Sequence, residues 1–305
     1  MARPKAIILT GPTGSGKTRL ALLAAQALKA EIINADSLAF YRGLDIGSAK
    51  PTAAERQIAP HHLFDVLDPD QDFDAAAYLA LARPLVERLN QAGRPALVVG
   101  GTGLYLRSLV KGLFPGPGRQ AQIRRELKEL TERGEDPHAV LAREDPKAAA
   151  QINPNDYVRV ERALEVFRAT GVSVVDWRAS HRLADRPFET LALIVDRPTP
   201  ELDRDLRLRA ERMFAEGLIA ETESLLKAGY GPGLKPLRAI GYREAVAFLA
   251  GEATLSEAIE KVYLRTRRLA KRQRTWFRGQ LPEGLWVRPD PELVIGLIKG
   301  FWAGQ

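Results

Sequence analysis

Residues 6–28 read AIILTGPTGSGKTRLALLAAQAL, three short segments with three different patterns. The apolar run Ala6-Ile7-Ile8-Leu9 predicts a buried parallel strand. Gly11-Pro12-Thr13-Gly14-Ser15-Gly16-Lys17-Thr18 follows, and Leu20, Leu23, Ala24 and Ala27 then mark the apolar face of a helix. Strand, glycine loop and helix in that order form the context of a phosphate-binding loop. Glycines let the backbone bend tightly, so that successive N–H groups and the helix N-terminus converge on phosphate oxygens. Lys17 adds a point charge, and Thr18 offers a hydroxyl to Mg²⁺. A glycine turn before an ordinary helix is the bland alternative, and the full eight-residue pattern in its flanking context argues against it. Which phosphate ester is held is not written in the loop.

Working outward, Glu31-Ile32-Ile33-Asn34 predicts a second strand that runs into Asp36. Ligands of open parallel sheets lie beyond the carboxyl ends of the strands, so Asp36 is expected to face the crevice that holds Lys17. A carboxylate there can bind Mg²⁺ or act as a base, and the plain alternative is a turn cap. The loop Asp45–Pro51 adds Ser48 and Lys50, the latter expected as a solvated charge more than as a ligand. His61 and His62 are neighbours, and neighbours on a strand face opposite sides, so no zinc site is expected from them. A helix is predicted over 75–92 and a buried strand over 96–99. That strand delivers Gly100-Gly101-Thr102-Gly103, either a second loop near the ligand with Thr102 as its polar tip or a tight turn into the next helix.

The 305 residues carry 45 basic and 38 acidic side chains, a net charge of +7 and a pI near 9.6, which favours a polyanionic partner. The absence of Cys excludes disulfides, thiolate zinc sites and a Cys nucleophile. No apolar run approaches about 18 residues, and the first residues lead directly into a strand, so a cytoplasmic protein without a membrane span or signal peptide is expected.

From about Phe114 the texture changes. Pro115-Gly116-Pro117-Gly118 reads as a linker, and residues 119–187 show helical periods with many arginines. The expected architecture is α/β: a P-loop core with a parallel sheet flanked by helices over 1–114 and 188–305, interrupted by a mostly helical insertion over 115–187. Arg119, Arg124, Arg125, Lys128, Arg159 and Arg162 on the insertion form either a contact surface or a solvated face paired with Glu126, Glu129 and Glu165. The sheet resumes at 191–195, a long helix covers about 199–216 with Arg209 on it, and Arg238–Arg243 opens another. A helix over about 255–278 then carries Lys261, Arg265, Arg267, Arg268, Lys271, Arg272, Arg274 and Arg278, with no acidic residue from 261 to 278. At helical spacing Arg265, Arg268 and Arg272 share one stripe, and Arg267, Lys271, Arg274 and Arg278 another. Such a surface repels itself unless phosphates neutralise it, which points to nucleic acid; Trp276 and Phe277 either stack on bases or belong to the core. A last strand at 285–287 and a short tail helix complete the chain.

Together the strings GPTGSGKT (11–18), NADSLAFYRGLDIGSAKP (34–51), PHHLFDVLDP (60–69), VVGGTGLYL (98–106), VRVERALEVF (158–167), RAIGYRE (238–244) and KRQRTWFR (271–278) resemble the bacterial tRNA dimethylallyltransferases, in that family's order and over nearly the whole chain. The resemblance implies transfer of a dimethylallyl group from dimethylallyl diphosphate to N6 of adenosine 37 beside the anticodon of tRNA, by a monomer that uses Mg²⁺. It implies a diphosphate cradle formed by Gly11, Pro12, Thr13, Gly14, Ser15, Gly16, Lys17 and Thr18, with Thr18 on the metal. It implies Asp36 as general base, Thr13 and Lys17 at the diphosphate, and contacts to the anticodon stem-loop from Asp36, Ser37, Leu38, Ala39, Thr102 and Arg124. The same holds for Val158, Arg159, Val160, Glu161 and Arg162, for Arg238, Gly241, Tyr242 and Arg243, and for Lys271, Arg272, Gln273, Arg274, Thr275, Trp276, Phe277 and Arg278. Arg209 is our own choice for an arginine on the leaving group. The chain departs from the family pattern at Leu38 and Ala39, where Met-Gln is usual, at Val158 and Glu161, where glutamines are common, and at Arg268, where glutamine is usual. The zinc-finger tail of eukaryotic relatives is missing, in keeping with the lack of Cys.

Two other functions fit a phosphate loop with an Asp at a strand end: a small-molecule kinase with a helical lid, and an RNA-binding NTPase switch. The cationic helix is a feature that a small neutral acceptor does not require.

Overall fold

The computed structural model describes residues 3–114, 116–181 and 185–304, so Pro115 of the expected linker and part of the end of the insertion lie outside the described residues. The backbone divides into two compact units, Met1–Val110 with Pro187–Gln305, and Lys111–Arg186.

In the first unit the order is β1 (Lys5–Thr10), α1 (Lys17–Leu28), β2 (Glu31–Asn34), α2 (Ala53–Ile58), β3 (His61–His62), α3 (Ala75–Gln91), β4 (Ala96–Val99) and α4 (Gly103–Lys111). The second unit holds α5 (Ala121–Glu132), α6 (Pro137–Glu144), α7 (Pro146–Ala149), α8 (Tyr157–Thr170) and α9 (Val174–His181). The first unit resumes with β5 (Glu189–Val195), α10 (Thr199–Ala215), α11 (Leu218–Lys227), α12 (Tyr242–Leu249), α13 (Leu255–Gln280), β6 (Leu285–Val287) and α14 (Pro291–Ala303).

The six strands form one sheet in the order β3-β2-β4-β1-β5-β6, and every neighbouring pair is parallel. All residues of β2 and β4 are buried, as expected where helices cover both faces. Ile7, Leu9, Leu97, Val99, Leu193 and Val195 alternate onto one face, where they pack with α1 and with Val294 and Ile298 of α14. Across the other face α3 contacts β1, β2 and β4, with Tyr78, Ala82, Val86 and Leu89 buried. A second core joins Leu202, Leu206 and Met213 of α10, Leu218 and Leu225 of α11, Tyr242 and Ala245 of α12, and Ala258 and Val262 of α13.

The 26 residues of α13 begin at a reciprocal cap, with Thr254 accepting the Glu257 N–H and the Glu257 carboxylate accepting the Thr254 N–H. At 1.5 Å per residue it is a rod about 39 Å long. The second unit has its own core, built by Leu127, Val140, Leu141, Val160, Ala163, Leu164 and Val166.

Candidate active site

The carboxyl ends of β1, β2 and β4 deliver three loops to one cavity of about 510 Å³. The first is Gly11–Gly16. Gly16 occupies the N-cap of α1 at φ 90°, a conformation that favours glycine. It offers no side chain to the first turn, which also carries no acidic residue, so the helix presents its unsatisfied N–H groups and positive dipole end to an anion. Thr13, Lys17 and Thr18 line the cavity below that end.

The second loop holds Asp36. Asn34 accepts the Asp36 N–H at 2.8 Å and donates to the carbonyls of Asp36 at 3.1 Å and of Leu63 at 3.0 Å. Asp36 Oδ1 accepts the Leu38 N–H at 3.1 Å. The third loop supports the second: Ser37 N–H donates to the Thr102 hydroxyl at 2.9 Å, and Thr102 N–H donates to the Ala35 carbonyl at 3.1 Å. Gly100 is required by contact, since a Cβ there would stand 2.2 Å from the Ala35 carbonyl carbon. Thr102 therefore does more than tip a loop, because its hydroxyl orients the backbone beside Asp36.

Lys17, Asp36 and Arg209 all line the cavity and feel one another's charge. Burial lowers the Lys17 ammonium to a pKa of about 8, the Asp36 carboxylate opposing and Arg209 adding to the shift. Burial likewise lowers Arg209, with Asp36 opposing and Arg212 adding. Two cations thus share one facing carboxylate, and the excess positive charge suits a polyanionic ligand. Leu38, Ala39, Phe64, Tyr105, Met213 and Leu269 supply apolar wall to the same cavity. No three His, Cys, Asp or Glu among the described residues converge as a cation cage. Of the lining groups, the Thr18 hydroxyl could hold a Mg²⁺ ion that shared its charge with a bound phosphate.

The sequence model of a family described as IPP transferase matches residues 39–280, well over half of the chain. The chain belongs to the IPP transferase family. A tRNA dimethylallyltransferase of Geobacter sulfurreducens is 46% identical over 94% of this chain and 92% of the relative. One of Geobacter metallireducens is 44% identical over 98% of each. The full-length tRNA isopentenylpyrophosphate transferase of Bacillus halodurans superposes with a TM-score of 0.72 at 36% identity, over 100% of this chain and 96% of that one. A eukaryotic dimethylallyltransferase acting on tRNA shares the fold, with a TM-score of 0.84 at 24% identity over 99% of this chain and 80% of that one.

Within this IPP transferase the 44–50 segment, part of the cavity wall, is held by a residue that sequence reasoning missed. Glu221 of α11 accepts the N–H groups of Asp45 at 3.0 Å, Ile46 at 2.8 Å and Gly47 at 3.3 Å, together with the Tyr242 hydroxyl at 2.6 Å. Tyr242 is fully buried, so this ring packs the core and does not face RNA, contrary to expectation. Gly241 beside it is buried too, and its N–H is taken by Glu244 at 2.7 Å. Lys50 is a correction of the same kind: it is buried, and its ammonium pairs with Asp45 at 2.7 Å and Asp65 at 2.6 Å. His62 pairs with Glu31 at 2.7 Å while His61 turns to the Ala59 carbonyl at 2.7 Å, so the two rings serve different partners.

The cationic helix α13 has several faces. Thr266, Leu269 and Gln273 look into the cavity. Its charge does not depend on phosphates as fully as its sequence implied, because acids arrive from other elements: Arg265 pairs with Glu244, Arg267 with Asp203 at 3.0 Å, and Arg274 with Asp196 at 2.8 Å. Arg278 lies over the Trp286 ring at 5.3 Å. Arg268, Lys271 and Arg272 remain exposed, without an ion pair among the described residues, and share their side with Thr275. Phe277 is core, and Trp276 packs on Gly103, where a Cβ would stand 2.4 Å from the ring. Arg238 and Arg243 are exposed, the latter hydrogen-bonded to Glu244 at 2.9 Å.

In the second unit the buried Glu165 is the centre of a network of partly exposed side chains. Arg124 donates to it at 2.7 Å and Arg162 at 2.5 Å, and Arg124 also reaches Glu161 at 3.0 Å. Burial alone would raise the Glu165 carboxyl, but hydrogen bonds from Arg124, the Gln120 N–H and Arg162 outweigh it and hold the pKa at about 2. Val160 is buried, so it packs the core and is no RNA contact. Val158 and Arg159 are exposed on the same helix.

Proposed function

We propose that this enzyme transfers a dimethylallyl group from dimethylallyl diphosphate to the exocyclic N6 of adenosine 37 in tRNA, releasing diphosphate. The observation that carries the reading is the meeting of Lys17, Asp36 and Arg209 in one cavity under the uncapped end of α1, in a chain of the IPP transferase family. The adenine N6 lone pair is delocalised into the ring, and a carboxylate within hydrogen-bond reach orients the amino group and takes its proton. Asp36 is suited to this role, because the Leu38 N–H takes only one of its acceptor sites and leaves the others to the substrate. As the N6–carbon bond forms, the allylic carbon–oxygen bond breaks and its electron pair leaves on diphosphate. The N–H groups of the loop glycines and of the first turn of α1, with Lys17, the Thr13 hydroxyl and Arg209, bind that developing charge. Mg²⁺ held at Thr18 supplies further charge neutralisation to the diphosphate when bound. No phosphoanhydride is hydrolysed.

The adenosine must leave its stack to enter such a cavity. The exposed Arg268, Lys271 and Arg272, which share one side of α13, fit the phosphates of the anticodon stem-loop. No helix among the described residues is long and apolar enough to cross a membrane. The tRNA substrate is our reason for assigning the reaction to the cytoplasm.

The test is incubation with unmodified tRNA, labelled dimethylallyl diphosphate and Mg²⁺. Label is expected in the RNA, and folded protein that incorporates none overturns the proposal. Asp36→Ala should retain tRNA binding and lose transfer by about 10²-fold or more. A nucleotide switch would instead hydrolyse ATP with the same variant.

A further inference from the structure

Gln273 lies on α13 amid the exposed basic residues, yet its amide is turned inward. Its Oε1 accepts the Thr13 N–H of the diphosphate loop at 2.9 Å, and its Nε2 donates to the Gly101 carbonyl of the third loop at 2.9 Å. The orientation of the amide is fixed by those partners, since a backbone N–H only donates and a carbonyl only accepts. Gly101 leaves the space that the amide fills: a Cβ there would stand 2.6 Å from Nε2.

We infer that Gln273 is a positioning residue, which sets the diphosphate loop in its binding conformation by clasping Thr13 to Gly101. The inference deepens the transferase reading above and rests on it for the identity of the ligand. The clasp takes the Thr13 N–H out of the set available to phosphate, so the donors left to the ligand are those of the glycines and the first turn of α1. It also fixes the distance between the loop that holds the leaving group and the loop that, through Thr102 and Ser37, holds Asp36. Both chemical partners are thereby referred to one side chain on a rigid helix.

The experiment compares Gln273→Met, which keeps the shape and removes both hydrogen bonds, with Gln273→Glu, which keeps an acceptor for Thr13 but loses the donor to Gly101 and adds charge. Each variant is first shown to be folded by its thermal transition. Inorganic diphosphate affinity, measured calorimetrically with Mg²⁺, should fall about tenfold in Gln273→Met. The KM for dimethylallyl diphosphate should rise by a similar factor and kcat at saturating donor should fall as the spacing to the Asp36 loop relaxes, with the tRNA affinity changed less than about threefold. In Gln273→Glu, diphosphate affinity relative to wild type at each pH should recover as pH falls towards 5, because protonation restores a donor and removes the charge; the ratio cancels the titration of diphosphate itself. Unchanged diphosphate affinity in folded Gln273→Met, a loss confined to tRNA affinity, or a flat pH ratio in Gln273→Glu would overturn the inference. Wild-type protein that binds diphosphate through this clasp yet transfers no prenyl group would refute the proposed activity and leave the positioning role standing.

Discussion

Asn34 grips Asp36 on both sides of its peptide, accepting its N–H at 2.8 Å and donating to its carbonyl at 3.1 Å. The carboxylate proposed as base is therefore aimed by backbone, and that backbone is held by the Asn34 amide together with the Thr102 hydroxyl. Asn34→Ala should cost transfer about 10²-fold, chiefly in kcat, because misplacement of a reacting group by about 1 Å has effects of that size. Donor and tRNA affinities should change little. Single-turnover rates with both substrates saturating check this, and an effect confined to KM would contradict it.

Lys17 gives a pH dependence with a defined sign. Its free-enzyme pKa is lowered from 10.5 to about 8, so the ammonium is present below that value and lost as pH rises through it. The kcat/KM for the prenyl diphosphate should decline above pH ~8, whereas kcat should hold to higher pH because the bound diphosphate raises the pKa again. Lys17→Arg should flatten the decline at the expense of overall rate. The burial that lowers the pKa also penalises the charged folded state. Thermal protection by diphosphate should accordingly be greater at pH 7 than at pH 9.5, since the ligand relieves that penalty only where Lys17 is charged.

The basic residues of α13 should separate into two classes. Lys271→Ala or Arg272→Ala should weaken tRNA binding and reduce the slope of log K against log salt by about one, with the thermal transition unchanged. Arg274→Ala leaves Asp196 half-buried without its bidentate partner and should lower stability by about 1–2 kcal/mol. Filter binding across a salt series, set beside thermal melts, distinguishes the two.

In the helical unit, stability should depend on acid through Glu165. Its folded pKa lies at about 2 against 4.5 for the free group, so its contribution is complete above pH ~4.5 and disappears as pH falls towards 2. Glu165→Gln should lower the midpoint for this unit at pH 7 and make its stability less sensitive across that window, as hydrogen exchange at α5 and α8 can report.

Much of this arrangement was legible in the chain. The apolar runs at 31–34, 96–99 and 285–287 are strands β2, β4 and β6, and the glycine loop sits between β1 and α1 as its context required. Local patterns are readable because a strand or helix repeats over a few residues. What escaped were relationships between distant residues: Glu221 lies 176 positions from the Asp45 N–H it accepts, and no periodicity joins them. α11 itself, which carries Glu221, was passed over, as was α2. The same limit made the cations of α13 look uncompensated, since Glu244, Asp203 and Asp196 lie outside the helix. Tyr242 and Val160 fell within strings matched as RNA contacts, and only burial reveals that they serve the core.

The strand order bears on how the protein emerges during synthesis. β1 pairs on one edge with β4 and on the other, over six residues, with β5, which follows the entire helical unit in the chain. Until that later strand leaves the ribosome, the first-made strand keeps a bare flank of N–H and carbonyl groups, an invitation to mispairing. A nascent chain halted at residue 187 should therefore be digested readily by protease and held by chaperones. One halted after Ala303 and released should resist.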